Sequence, residues 1–418
     1  MHNQLSARFL IGVTLLGILV RLLLMPFGMS VDSRFTGDIA LLVQHVQQWD
    51  SAGRANHNFF YPPLIYHTLS RLWFVIRPFT RSLDKPILGR EGQFNWIASP
   101  FVFRNLFMLK LWYLLPDLAS AFVLWKMLRV QPARARLTLL GWVFNPLVLY
   151  TAYFHGQFDL IPVFFVWLSL FTAQKKQPIQ AAFWMGIGAC YKNFAFFFLL
   201  PLVLILVQTK VDRFKLLLVG ALPYALFFIP VMHSYARMGS FFSISSFSAG
   251  YDLGFSARIY IFFAFYAALL WYLHSRKACT FGDLWQACFV ILLVYYQLSR
   301  FSLHYWTWIV PFAILYWIEQ PVRAMPFYII IMVSLPVLNT PVSLARYLAP
   351  VSPRFFLHLP SLLEMLNPHL PALFLVNVVR SLLAGTCFYL AWKLVCDMPA
   401  SRSYREKNGT QIFTDEHR

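Results

Sequence analysis

The chain reads as an all-α polytopic membrane protein of about twelve transmembrane helices, with a long first extracytoplasmic loop that contains interfacial helices. Three observations predict this class. Of 418 residues, 59% are hydrophobic and only 12% charged. A soluble domain carries about a quarter charged residues, so polar side chains here are too few to cover a water-facing surface. Apolar runs of membrane-crossing length recur along the chain. Lys and Arg, 35 against 16 Asp and Glu, form two populations: one collects in alternate short loops, which is how cationic side chains orient membrane helices, and the other, Arg34, Arg54, Arg71, Arg77, Arg81, Lys85, Arg90 and Arg104, lies in or next to the long outer loop, where anionic lipid phosphates are the expected partners. These features exclude a soluble Rossmann or barrel enzyme, a disordered tail protein and a secreted disulfide scaffold. They also account for a net charge of +19 with no nucleic acid as partner.

The first apolar run, Phe9 to Phe27, is long enough to cross a bilayer at about 1.5 Å per residue. Preceded by His2 and Arg8 and followed by no small-x-small cleavage site, it reads as a retained signal anchor. Further spans are predicted near 101 to 128, 137 to 154, 158 to 173, 179 to 193, 194 to 208, 214 to 232, 257 to 274, 283 to 300, 304 to 319, 325 to 343 and 370 to 394. Every second loop is basic: Lys126, Arg129, Arg134 and Arg136, then Lys175 and Lys176, then Lys210, Arg213 and Lys215, then Arg276 and Lys277. The tail after Lys393 adds Arg402, Arg405 and Lys407, which puts both termini in the cytoplasm. Residues 28 to 100 form the long outer loop. Within it, Pro62 to Arg77 carries His67, Ser70, Arg71 and Arg77 on one helical face and Ile65, Leu69, Leu72, Trp73 and Ile76 on the other. That pattern suits a helix lying in the membrane interface, whereas a true span there would reverse the sidedness of the loop at 126 to 136. Cys190, Cys279, Cys288, Cys387 and Cys396 lack C-x-x-C spacing and read as packing residues.

Three polar clusters fall on the outer side by this parity. The first is Asp32 to Asp38, where Thr36 and Asp38 open a predicted helix with Ile39, Leu42, Val43, Val46 and Trp49 on one face. A carboxylate at a helix N-terminus is held ionised by the dipole and can accept a proton from a hydroxyl; Asp38 is equally suited to capping the helix. The second is His155-Gly156-Gln157-Phe158-Asp159, in which His155 and Asp159 are i,i+4 neighbours and suit a structural pair as well as a ligand-facing one. The third is Arg300 to Trp306, where His304 and Tyr305 add polarity to what is otherwise an aromatic belt. Among cations, Lys192 has no carboxylate at helical spacing, and an intramembrane lysine of that kind faces a cavity or an anion. Arg104 suits an anion or snorkelling to the interface. Lys110, at the outer end of the same span as Arg104, also has a position that a phosphate could use, while Asp117, seven residues on and on nearly the same face, suits a structural partner for it. No spacing supports a zinc or calcium site, and metal dependence is not legible. The Asn408-Gly409-Thr410 sequon falls in the predicted cytoplasmic tail.

Arg21-Leu-Leu-Leu-Met-Pro26-Phe-Gly, Gly37-Asp38, Tyr61-Pro62-Pro63-Leu64, Asn145-Pro146-Leu147, Gly156-Gln157-Phe158-Asp159, Gly186-x-Gly188 with Lys192, and Leu200-Pro201 follow one another in order. Together they resemble the multi-spanning glycosyltransferases of the GT-C superfamily, and most of all the bacterial polyprenyl-phosphate-sugar mannosyltransferases and the catalytic subunit of GPI mannosyltransferase I. The resemblance covers residues 8 to 210, with a weaker echo at His304-Tyr305-Trp306-x-Trp308-x-x-Pro311. It implies a catalytic module over 1–210 with its first outer loop at 28–100, variable C-terminal helices over 211–395 and a cytoplasmic tail over 396–418. It further implies an enzyme of the bacterial cytoplasmic membrane that moves a sugar, mannose foremost, from a polyprenyl-phosphate donor to an acceptor hydroxyl on a lipid, glycan or protein. In that scheme Asp38 is the base and Lys192, Arg300 and Arg104 hold the donor phosphate. Asp159, His155, Gln157, His304, Tyr305 and Tyr61 contact sugar or acceptor. The sequence departs from the family pattern in its single Asp38 and in having His304-Tyr305 where many relatives have Gln-Tyr. The competing class is a transporter or flippase of a lipid-linked or anionic substrate, for which two similar halves with matching broken helices are expected.

Overall fold

The computed structural model describes residues 2–28, 61–80, 99–229, 250–254, 257–276, 279–298, 303–338, 344–366 and 371–408. Asp32, Asp38 and the helix expected after it, Arg300 and the end of the tail lie outside the described residues. The described chain is almost entirely helical. It begins with α1 (His2–Leu24), α2 (Pro63–Ile76), α3 (Val102–Leu111), α4 (Leu114–Leu128) and α5 (Pro132–Val143). Next come α6 (Leu160–Gln174), α7 (Pro178–Ala189), α8 (Phe196–Leu206) and α9 (Lys210–Phe228). A short antiparallel ribbon, β1 (Gly250–Gly254) and β2 (Ala257–Tyr260), pairs Tyr251 with Ile259. The chain then continues through α10 (Ile261–Ser275), α11 (Phe281–Leu298), α12 (Trp306–Glu319), α13 (Pro321–Leu338) and α14 (Ala372–Asn408).

Local chemistry sets the boundaries. Pro132 and Pro178 stand in the first turns of α5 and α7, where a missing N–H costs nothing. Thr209 caps α9 by accepting the Asp212 N–H at 3.1 Å. Thr280 and Asp283 bond reciprocally at the start of α11: the Thr280 N–H donates to Asp283 Oδ2 at 2.6 Å, and the Asp283 N–H donates to Thr280 Oγ1 at 3.3 Å.

Four stretches among the described residues are long and apolar enough to cross a membrane: Val102–Leu128, Pro132–Phe154, Phe281–Leu298 and Leu373–Met398. Several other apolar helices are shorter. The burial pattern shows which solvent these helices suit. On α1, Leu15 is 62% exposed while Arg21 is 0% exposed, the inverse of a helix facing water and the arrangement expected when lipid is outside and polar groups find partners inside. The apolar stretch of α11 is 83% buried and that of α14 only 22%, so α11 is the central helix and α14 packs at the periphery against it and α13.

Small residues allow close crossings. A Cβ on Gly186 of α7 would overlap the Gly220 carbonyl of α9, so these helices meet backbone to backbone, as packing in an apolar solvent favours. Helix α2 spans 14 residues, about 21 Å at 1.5 Å per residue and short of the roughly 30 Å hydrocarbon core. Its expected apolar face is turned to the protein rather than to lipid. Ile65, Leu69 and Ile76 are buried in the core, and Phe74 and Val75 lie outermost. The Thr68 hydroxyl meets the Tyr191 hydroxyl at 2.9 Å, so α2 is tied to the chain beside Lys192.

Candidate functional site

The site is built by four interruptions in helical structure. Asn145 accepts the N–H groups of Leu147 and Val148 at 3.0 and 3.4 Å, and Pro146 follows it, which restarts the helix after α5. The restarted helix widens into a π-type turn over Leu149–Phe154, closed by the His155 N–H on the Tyr150 carbonyl at 2.7 Å and the Gly156 N–H on the Thr151 carbonyl at 3.1 Å. Such turns frequently mark functional sites. Gly156 then takes a φ of 86°, a left-handed conformation that glycine adopts without cost, and the chain reverses to present Asp159 at the start of α6. A second interruption lies between α7 and α8, where Lys192 is extended at φ −154° and ψ 132°. The third is Tyr61, just before α2, and the fourth is the turn Leu303–Tyr305 that precedes α12.

These four segments converge. Lys192 Nζ bonds Asp159 Oδ1 at 2.5 Å, with the two side chains 7% and 1% exposed. The Trp308 indole N–H donates to the same oxygen at 2.5 Å. Around the ammonium stand the rings of Tyr61, Phe158, Tyr305 and Trp308, with centroids 5.0 to 5.4 Å from Nζ, within cation–π range. The rings brace one another: Trp308 stacks on Phe194 at 4.1 Å and on Tyr305 at 4.3 Å, and Tyr61 meets Phe158 edge-on at 4.9 Å. The Tyr296 hydroxyl donates to the Tyr305 carbonyl. Asp159 sits at the N-terminus of α6 without capping it, so its charge gains from the helix dipole while its oxygens remain for Lys192 and Trp308.

A second, adjoining group is aromatic and imidazole. The rings of His155 and His304 lie 6.2 Å apart, Tyr347 packs edge-on to His155 at 5.1 Å, and His304 packs edge-on to Tyr305 at 4.6 Å. Both histidines and Gln157 are buried. The π-type turn and α12 also meet at Thr151 and Thr307, whose hydroxyls are 2.6 Å apart.

The sequence-predicted residues therefore separate into groups. Tyr61, Asp159, Lys192 and Tyr305 share one cluster, with His155 and His304 beside it and Gln157 in the same turn. The carboxylate that helical spacing does not give Lys192 comes from 33 residues away, so the lysine is an ion-paired cation. Asp159 turns to Lys192 and Trp308, which replaces the i,i+4 pair with His155. Arg104 is exposed and lies over the Phe101 ring at 4.8 Å, apart from this cluster. Lys110 does not pair with Asp117. Asp117 instead accepts from Arg21 Nε at 2.5 Å, the Tyr153 hydroxyl at 2.6 Å and the Trp142 indole at 2.7 Å. Asp38 and Arg300 lie outside the described residues.

Sequence reasoning does not find Trp308, Phe158, Phe194 or Tyr347 as site residues. The one signal for Trp308 is its place in the His304-to-Pro311 motif. Among the described residues no group of three or more His, Cys, Asp or Glu side chains is arranged to hold a metal ion. No family model matches the chain, and no curated protein matches it.

Proposed function

We propose that the chain is a multi-spanning membrane glycosyltransferase that moves a sugar, mannose foremost, from a polyprenyl-phosphate donor to an acceptor hydroxyl on the extracytoplasmic side, with inversion. The proposal includes about twelve spans, both termini in the cytoplasm and the bacterial cytoplasmic membrane as location. One observation supports it above the others. Tyr61, Asp159, Lys192 and Tyr305 come from four separate stretches of the GT-C-like motif order and meet in one buried, aromatic-walled cluster. Aromatic walls with few, fixed polar groups are the usual composition of a small-molecule site.

In this reading the donor phosphate takes over the Lys192 ammonium from Asp159, and Asp159 keeps its bond from the Trp308 indole. Arg300 assists as an outer cation. Asp38 accepts the proton of the acceptor hydroxyl as that oxygen bonds the anomeric carbon. The bond from carbon to the phosphate oxygen breaks, its electron pair leaves with the phosphate, and Lys192 stabilises the charge that develops there. One displacement inverts the anomeric centre. His155, Gln157 and His304 orient sugar hydroxyls or the acceptor.

The test is a comparison in proteoliposomes loaded with radiolabelled polyprenyl-phosphate sugar and membrane extract as acceptor. Covalently labelled product is the expected outcome. Label that changes leaflet or compartment with no new covalent product refutes transfer and establishes the transporter or flippase class.

A further inference from the structure

Lys110, on α3, is 1% exposed, and its bonds to described residues all go to backbone carbonyls. Nζ donates to Met25 O at 3.1 Å, Gly28 O at 2.5 Å, Tyr153 O at 2.9 Å and Phe154 O at 3.1 Å. An ammonium has three hydrogens, so four acceptors share them, and the positive charge is balanced by carbonyl dipoles. The four carbonyls belong to two places far apart in sequence. Met25 and Gly28 follow α1, at the point where the chain runs on toward Asp38 in sequence. Tyr153 and Phe154 end the π-type turn, immediately before His155.

A separate observation shows that these two places are built to touch. A Cβ on Gly28 would overlap the carbonyl of Phe154, so the backbones meet with no room for a side chain. The stretch that follows α3 adds a third hold, because the Tyr113 hydroxyl donates to the Gly156 carbonyl at 2.9 Å.

We infer that Lys110 is a positioning residue whose ammonium clamps the root of the Asp38-bearing loop to the turn that presents His155 and Asp159. The clamp fixes the turn that presents His155 and Asp159 against the segment that follows α1. Its functional consequence rests on the transferase reading above, whereas the clamp itself is a statement about two backbone segments.

Chemical rescue tests it. Lys110→Ala deletes the equivalent of a propylammonium ion, which can be supplied in solution as n-propylammonium, with 1-propanol as the uncharged control. Expected results are a fall in kcat of about 100-fold, the scale of a small misplacement of reacting groups, with KM changed by less than about two-fold. Propylammonium restores kcat by about ten-fold, the worth of a charge-assisted hydrogen bond, and 1-propanol does not. Hydrogen exchange supplies a readout that needs no activity. Amides in 25–28 and 149–156 lose protection together in Lys110→Ala and in Lys110→Met, which keeps the stem without the charge, and propylammonium restores both segments in the alanine variant. Equal rescue by 1-propanol, full protection in Lys110→Met, or loss of protection in one segment alone overturns the clamp. A wild-type protein that forms no glycosylated product overturns the transferase reading instead, and the exchange data then decide the clamp by themselves.

Discussion

Removal of the Asp117 charge is the perturbation whose cost follows most directly from the structure. Arg21 and Asp117 are both 0% exposed. Asp117 is the single carboxylate bonded to that guanidinium among the described residues, whose other bonds go to the Gly17 carbonyl at 3.0 Å and the Val143 carbonyl at 2.8 Å. Asp117→Leu therefore leaves a buried cation facing carbonyl dipoles alone, at a cost of about 3–5 kcal/mol. The Tyr153 hydroxyl and Trp142 indole also lose their acceptor, worth about 1–3 kcal/mol each before relaxation. At least about 3 kcal/mol of destabilisation is expected. Arg21→Met leaves the carboxylate with two donors and also destabilises. The double variant removes both charges and leaves neutral groups alone unsatisfied, the Tyr153 and Trp142 donors and the Val143 carbonyl, so it costs less than the sum of the singles by about 2–3 kcal/mol. Equilibrium unfolding in mixed micelles, run as a double-mutant cycle, measures this. Singles that each cost under about 1 kcal/mol, or a double variant equal to their sum, would show that Arg21 and Asp117 are not coupled.

Three further outcomes follow from other contacts. Asp159→Leu removes the buried carboxylate bonded to Lys192 and destabilises by about 3–5 kcal/mol, while Lys192→Met leaves Asp159 its indole bond and is the milder change in the same unfolding assay. Gly186→Ala forces α7 away from the Gly220 carbonyl and costs about 1–3 kcal/mol as overpacking; a fully stable variant would contradict the close crossing. The backbone N–H and hydroxyl of Ser361, and then Arg346, hold the Glu364 carboxyl below its ordinary range. A depressed carboxyl stabilises above its unfolded pKa and loses that contribution as pH falls through its folded one. Protection of the short helix Leu362–Leu366 is therefore expected to fall on acidification below the usual carboxylate range, and Glu364→Gln should remove that pH dependence in hydrogen exchange.

The helices were legible in the sequence because their signal is local. An apolar run near 283 to 300 suffices to place α11, whose observed range is Phe281–Leu298. The partnership of side chains was not, because it is set by chain segments that spacing cannot relate. Lys110 and Asp117 share a face in a straight helix, but the helix is interrupted at Trp112 and Tyr113 between α3 and α4, and each residue turns to a different neighbour: Asp117 to Arg21, Lys110 to four carbonyls. Lys192 shows no carboxylate at helical spacing, yet Asp159 reaches it from the N-terminus of another helix. The apolar face of α2 was legible as apolar; that it faces protein depends on the packing of Ile65 and Leu69 in the core, which no periodicity encodes. Trp308 shows the same limit, since an indole near a span end reads as belt until its N–H is seen on Asp159.

The proposed function is sugar transfer from a lipid phosphate at the Asp159–Lys192 cluster with Asp38 as base. Its most direct test is product formation from a panel of polyprenyl-phosphate sugars by the wild-type protein, Asp38→Asn and Lys192→Met, each checked for intact folding. The account predicts labelled product of inverted anomeric configuration from the wild type, mannose donors leading, and loss of at least about 100-fold in both variants. Near-normal transfer by a folded Asp38→Asn protein, or no product from any donor, would contradict it.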